Sequence, residues 1–102
     1  MANYIVMATP VLSKMAELRE RLDTGEIAPM RPFGPALDYS LQNARQMADG
    51  RAVWEEEDYC RPPLAMERAA VLNDYFTELT VKKVAAGEGW QEIQALPSLW
   101  AG

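Results

Sequence analysis

Four acids in succession, Glu55-Glu56-Glu57-Asp58, lie between Trp54 and Tyr59 and are the densest group of reactive side chains in the sequence. Carboxylates gathered this closely bind cations or pass protons. Along a strand, alternate side chains leave on opposite faces, so at most two of the four converge. Glu55 and Glu57, with the Tyr59 hydroxyl, are the candidates for acid–base work. Burial of an inward pair inside a dimer cavity would raise its pKa. A solvated strand end, charged so as to discourage edge pairing, accounts for the same run. Arg31, Arg45 and Arg51 offer guanidinium forks suited to an anionic ligand, with the Tyr39 hydroxyl beside them. Pairing of these arginines with the acidic run across neighbouring strands explains both sets equally simply. Cys60 is followed by Arg61 and a helix start, both of which lower a thiol pKa. It has neither a histidine base nor a resolving cysteine.

Composition removes several kinds of chemistry. The 102 residues include no histidine and one cysteine, so imidazole catalysis, His-ligated metal, an internal disulfide and Cys-rich zinc sites are excluded. No metal and no cofactor is expected. With 15 acids against 10 bases and a net charge of −5, the chain is a poor binder of nucleic-acid phosphates. The apolar run from Tyr4 to Ala8 is far too short to span a bilayer, and it lacks the basic leader and cleavage site of a signal peptide. A cytoplasmic protein without membrane contact is the expectation.

The elements that must position these side chains follow from spacing. Residues 3–9 are almost continuously apolar and stop at Pro10, which predicts a central strand covered on both faces. Val11, Met15, Leu18 and Leu22 recur at helical spacing up to Gly25, which predicts an amphipathic helix with a glycine cap. Three prolines and a glycine within residues 28–36 predict a loop. Leu37, Tyr39 and Leu41 then alternate with polar residues, and Asp49-Gly50 is a hairpin turn signal. An antiparallel hairpin of residues 37–47 and 51–59 is the preferred reading; a short helix over residues 40–48 is the competitor. Pro62-Pro63 opens a second helix carrying a stripe of Ala65, Ala69, Leu72, Phe76 and Leu79. Residues 80–85 predict a short strand, with Lys82 and Lys83 marking one exposed face or an edge.

The order β-α-β-β-α-β predicts an α+β, ferredoxin-like sandwich over residues 1–86, a four-stranded antiparallel sheet with two helices on one face. Its bare face would meet a second copy, giving a homodimer. Residues 87–102 form a tail with Trp90, Leu99 and Trp100. So much apolar surface must dock on the domain, on its mate or on another protein. These three residues and Trp54 are the interface candidates.

The stretch Met15-Ala16-Glu17-Leu18-Arg19-Glu20-Arg21-Leu22, followed by Gly25-Glu26-Ile27 and Phe33-Gly34-Pro35-Ala36-Leu37-Asp38, resembles the YCII-related proteins. Asp49-Gly50-Arg51-Ala52-Val53 and Asp74-Tyr75-Phe76 fall in similar order. The resemblance implies a dimeric α+β barrel. It also implies a dyad of an early histidine with an aspartate near the second helix, but Met15 stands at the histidine position and only Asp74 remains. A carboxylate alone is a poor substitute for that dyad.

Three functions are compatible with these features. The leading one is a non-catalytic homodimeric accessory, ligand-binding or regulatory domain. The second is a small-molecule enzyme of the barrel type, using Asp38, Glu55, Glu57, Tyr59, Arg31 and Asp74. The third is a dedicated subunit of a larger complex, held by its aromatic tail.

Overall fold

The first apolar run forms strand β1 (Ala2–Pro10), the centre of the molecule in a computed structural model that describes residues 2–101. It pairs antiparallel with β3 (Ala52–Asp58) on one side and β4 (Phe76–Val84) on the other; β2 (Arg45–Gln46) adds two residues beyond β3. The sheet order is β2-β3-β1-β4. One extra residue in β4 interrupts its pairing between Met7 and Thr9, at the bulge where Glu78 takes φ 51°.

A short 3₁₀ turn (Leu12–Lys14) leads into α1 (Met15–Asp23), which buries Leu18 and Leu22 and ends at Gly25 with φ 74°. Helix α2 (Gly34–Gln42) starts with Pro35 in its first turn and buries Leu37, Ser40 and Leu41. Gly34 is required there, because a Cβ would run into the carbonyl oxygens of Ile27 and Ala28. A third helical stretch joins α3 (Ala65–Glu67), a π-helical turn (Arg68–Leu72) and α4 (Asn73–Tyr75). These helices pack on the sheet face that carries Val6, Ala8 and Trp54. On the opposite face, α5 (Glu88–Ile93) sets Ile93 against Ile5 and Val53.

Four expectations are corrected. Of the hairpin strand expected over residues 37–47, Arg45–Gln46 pairs with β3 across the Asp49-Gly50 turn, but residues 37–42 lie in α2. Leu37, Ser40, Leu41 and Ala44 are buried while Tyr39 is 61% exposed, the pattern of a helix, and the apparent alternation of Leu37, Tyr39 and Leu41 was coincidental. The second helix does not continue to Leu79. Its π-turn turns Val71, Leu72 and Tyr75 inward and leaves Ala69 exposed, and the chain becomes extended at Phe76. The two expected helices do pack on one face of the sheet, but the opposite face is not bare, since α5 occupies the side reserved for a second copy. Finally, the ferredoxin-like sandwich expected to close into a dimeric α+β barrel is overturned. The fold is α+β, but its sheet is open, with β2 and β4 as edges, and is not closed into a barrel. Among the described residues no helix is long and apolar enough to cross a membrane.

Candidate functional site

Strand parity divides the acidic run between two environments. Glu55 points to the α5 side, where its carboxylate accepts the N–H groups of Gly87 at 2.8 Å, Gly89 at 2.7 Å and Trp90 at 3.2 Å. Gly89 makes this possible, since a Cβ there would lie 2.9 Å from Glu55 Oε1. The carboxylate therefore satisfies orphan donors at the start of α5.

Glu56 and Asp58 share the parity of Trp54 and point into the helical side. Trp54 Nε1 donates to Glu56 Oε1 at 3.0 Å. Asp58 Oδ2 accepts the N–H of Leu64 at 2.6 Å and of Cys60 at 3.0 Å, which fixes the chain reversal where Leu64 takes φ 63°. The turn then delivers Glu67 from α3 against both acids. Glu56 and Glu67 are each 1% exposed, and Oε2 of each has no donor from the protein. Cys60 Sγ lies 3.9 Å from Glu67 Oε1.

These surroundings separate the three carboxyl groups electrostatically. Burial pushes Glu56 well above the usual carboxylate range, and hydrogen bonding to Glu67 and that neighbour's charge add to the rise, against a smaller opposing effect of Trp54. Burial also raises Glu67, aided by its hydrogen bond to Asp58. For Asp58, burial acts upward but is outweighed by the Leu64 N–H, the Glu67 carboxyl and the Cys60 N–H, which hold it below its ordinary value. A backbone hydrogen bond at Met66 draws the Cys60 thiol down, but burial and the charges of Asp58 and Glu67 prevail and raise it. The result is one ionised acid, a proton retained by the Glu56–Glu67 pair, and a thiol disfavoured as thiolate.

A recess of about 390 Å³ opens onto this cluster. Pro32, Phe33, Pro35 and Ala36 from the loop and the start of α2 form one wall, and Met66 lies opposite. Asp58, Cys60 and Glu67 form the floor, with Glu57 and Tyr59 alongside. Glu57 is exposed and Tyr59 is 69% exposed. Donor atoms of Asp58, Cys60 and Glu67 lie within 4.8 Å of one another, a spacing on which a cation could close.

The remaining sequence candidates lie elsewhere. Arg31 reaches the Ala28 carbonyl at 3.5 Å, Arg45 donates to Leu96 O at 2.9 Å, and Arg51 pairs with Asp49 at 2.8 Å. The three guanidinium groups thus have separate partners, none in the run of residues 55–58. Tyr39 and Arg45 meet Trp90 in an open cleft of about 270 Å³, where Tyr39 and Trp90 stack edge-on at 6.1 Å. Asp74 lines a different cleft with Glu17 and Arg21, where Tyr75 donates to Glu17. Asp38 is half-buried on α2. Trp54 is wholly buried in the chain's own core. The Leu99 N–H donates to Ala44 O at 2.8 Å, and Trp100 Nε1 to Leu41 O at 2.7 Å. Arg19 lies 5.0 Å above the Trp100 ring.

Sequence reasoning missed Glu56, Asp58 and Glu67 as a group. Parity was the available signal: Glu56 and Asp58 stand two and four residues after Trp54, the bulkiest residue of the strand, and so share its inward face. No family model, no curated protein and no solved structure matches this chain. The resemblance to the YCII-related proteins is therefore withdrawn, since the open sheet also contradicts the barrel it implied.

Proposed function

We propose that the chain is a non-catalytic ligand-binding domain that takes a small organic molecule into the recess between the 28–36 loop and the β3–α3 connection. The observation that supports this most directly is a recess of about 390 Å³ whose apolar walls end on Glu67, a buried acid with an oxygen left without a donor. Apolar walls with a few convergent polar groups are the usual make-up of a small-molecule site. Its chemistry favours binding over turnover. The thiol is held protonated by burial and by the charges of the neighbouring Asp58 and Glu67, and Asp58 is committed to two backbone donors.

Backbone NMR of the chain titrated with small aromatic alcohols and amines tests the proposal. Shifts are expected to concentrate at Ala36, Cys60 and Met66, and Ala36→Trp, which fills the recess, is expected to weaken binding at least about tenfold. Fragments that leave those amides unmoved, or that bind Ala36→Trp equally well, would refute the assignment.

A further inference from the structure

Resting on that assignment, we infer that the ligand is an organic ammonium, a small apolar body bearing one protonated amine whose nitrogen sits against Glu67 and Asp58. The floor of the recess brings together Asp58 from β3 and Glu67 from α3, with the Cys60 thiol beside them and Glu56 buried behind Glu67. Buried acids are ordinarily matched by a cation. Here the ion pairs among the described residues are Arg19–Asp23, Arg21–Glu26 and Arg51–Asp49, and none involves this cluster. Arg61 and Lys83 border Asp58 and Cys60 from an adjoining recess, and neither comes within ion-pair distance of the cluster's carboxylates.

The rest of the recess selects an organic cation over a metal ion. Calcium or magnesium needs six or more oxygen ligands, yet the walls are Pro32, Phe33, Pro35, Ala36 and Met66. Zinc would find only three donors among the described residues, Asp58, Cys60 and Glu67, one short of a closed tetrahedral site. It would also draw on Asp58, whose Oδ2 already holds the Leu64 turn. An ammonium asks only for acceptors, which the carboxylates supply, and its hydrocarbon part is covered by the apolar walls. Phe33 and Tyr59 place aromatic rings along the same recess, favourable neighbours for a cation. The net charge of −5 attracts such a ligand from a distance.

Binding carries a defined proton balance. The ligand enters as an ammonium and keeps its protons, Glu67 faces it as the carboxylate, and the proton of the pair stays on the more deeply buried Glu56. No covalent bond forms or breaks.

Isothermal titration of the full chain near pH 6 with phenethylammonium and with phenethyl alcohol, its neutral counterpart, tests the inference. The amine is expected to bind at least about tenfold more tightly than the alcohol. Glu67→Gln keeps the shape but removes the charge, and should bring the two affinities within about twofold. Repeating the wild-type titration at low and at high ionic strength should weaken the amine and leave the alcohol unchanged, a readout that stands even if Glu67→Gln folds poorly. Equal affinities for amine and alcohol, with no dependence of amine binding on salt, would overturn the ammonium inference and leave the recess as a site. Failure of both probes to bind would overturn the recess assignment as well. Zinc chloride binding at the recess more tightly than the amine and displacing it would overturn the organic cation in favour of a metal.

Discussion

Glu55→Ala is expected to destabilise the chain by about 3 kcal/mol, because three backbone N–H groups lose a charged acceptor at once. For a domain of this size that is a fall in melting temperature of roughly 10–20 °C. The loss should be local first. Gly87, Gly89 and Trp90 begin α5, and α5 covers Ile5 and Val53 through Ile93. Amide exchange across residues 87–93 should accelerate before exchange in β1, and Trp90 emission should shift to the red. Glu55→Gln retains one acceptor and should lose less than half as much. A Glu55→Ala protein with unchanged melting temperature and unchanged exchange would mean that the carboxylate does not hold this segment.

The second large effect is an unusual dependence of stability on pH. Burial raises the folded-state values of Glu56 and Glu67 above 4.5, so over that range the folded chain holds protons that the unfolded chain releases. The stability linked to these protons is fully present below about pH 4.5 and is lost as pH rises through the folded values. Asp58 acts in the opposite sense. Its folded value lies below 3.8, so its contribution is present above that pH and disappears under stronger acid. The two together predict a stability maximum near pH 4–5, with a decline towards neutrality of up to about 1.4 kcal/mol per pH unit for each proton involved.

Glu56→Gln separates this effect from simple relief of the net negative charge. Its amide oxygen can still accept from Trp54, and its NH₂ group replaces the shared proton opposite Glu67. The variant should therefore be more stable than wild type at pH 7.5 and show a flatter profile between pH 7.5 and 5. Urea unfolding at half-unit pH steps reads both results. A wild-type stability that falls steadily from pH 7.5 to 5, or a Glu56→Gln profile that retains the full slope, would rule out a proton held at the cluster.

The legibility of the sequence varied with how far each element depended on its own residues. β1 was clear because a continuous apolar run that stops at proline has few alternatives. α1 was clear because Leu18 and Leu22 define a stripe that local polar residues cannot mimic. α2 was misread because Leu37, Tyr39 and Leu41 satisfy a period of two, while Leu37, Ser40, Leu41 and Ala44 satisfy the helical one. Burial decided between them, and burial is a property of the assembled core. The π-turn was equally hidden, since one additional residue in a helical turn leaves no compositional mark. The expected bare face has a separate origin: residues 88–93 belong to the expected tail, and α5 covers that face instead.

The candidate site was legible in composition and not in assembly. The acidic run drew attention, yet Glu55 and Glu57 were favoured over Glu56 and Asp58. Trp54 could have oriented the strand, because its side chain points into the larger core. Glu67 was invisible for a stronger reason. It reaches the cluster through the turn that Asp58 itself holds, so its position depends on a contact between two parts of the cluster.

A crystal of the chain soaked in phenethylamine tests the central claim most directly. The account predicts the phenyl group lodged between Phe33 and Met66 with its nitrogen within hydrogen-bonding distance of the Glu67 carboxylate. A recess filled by the chain's own side chains, or open and holding only water at saturating amine, would contradict it.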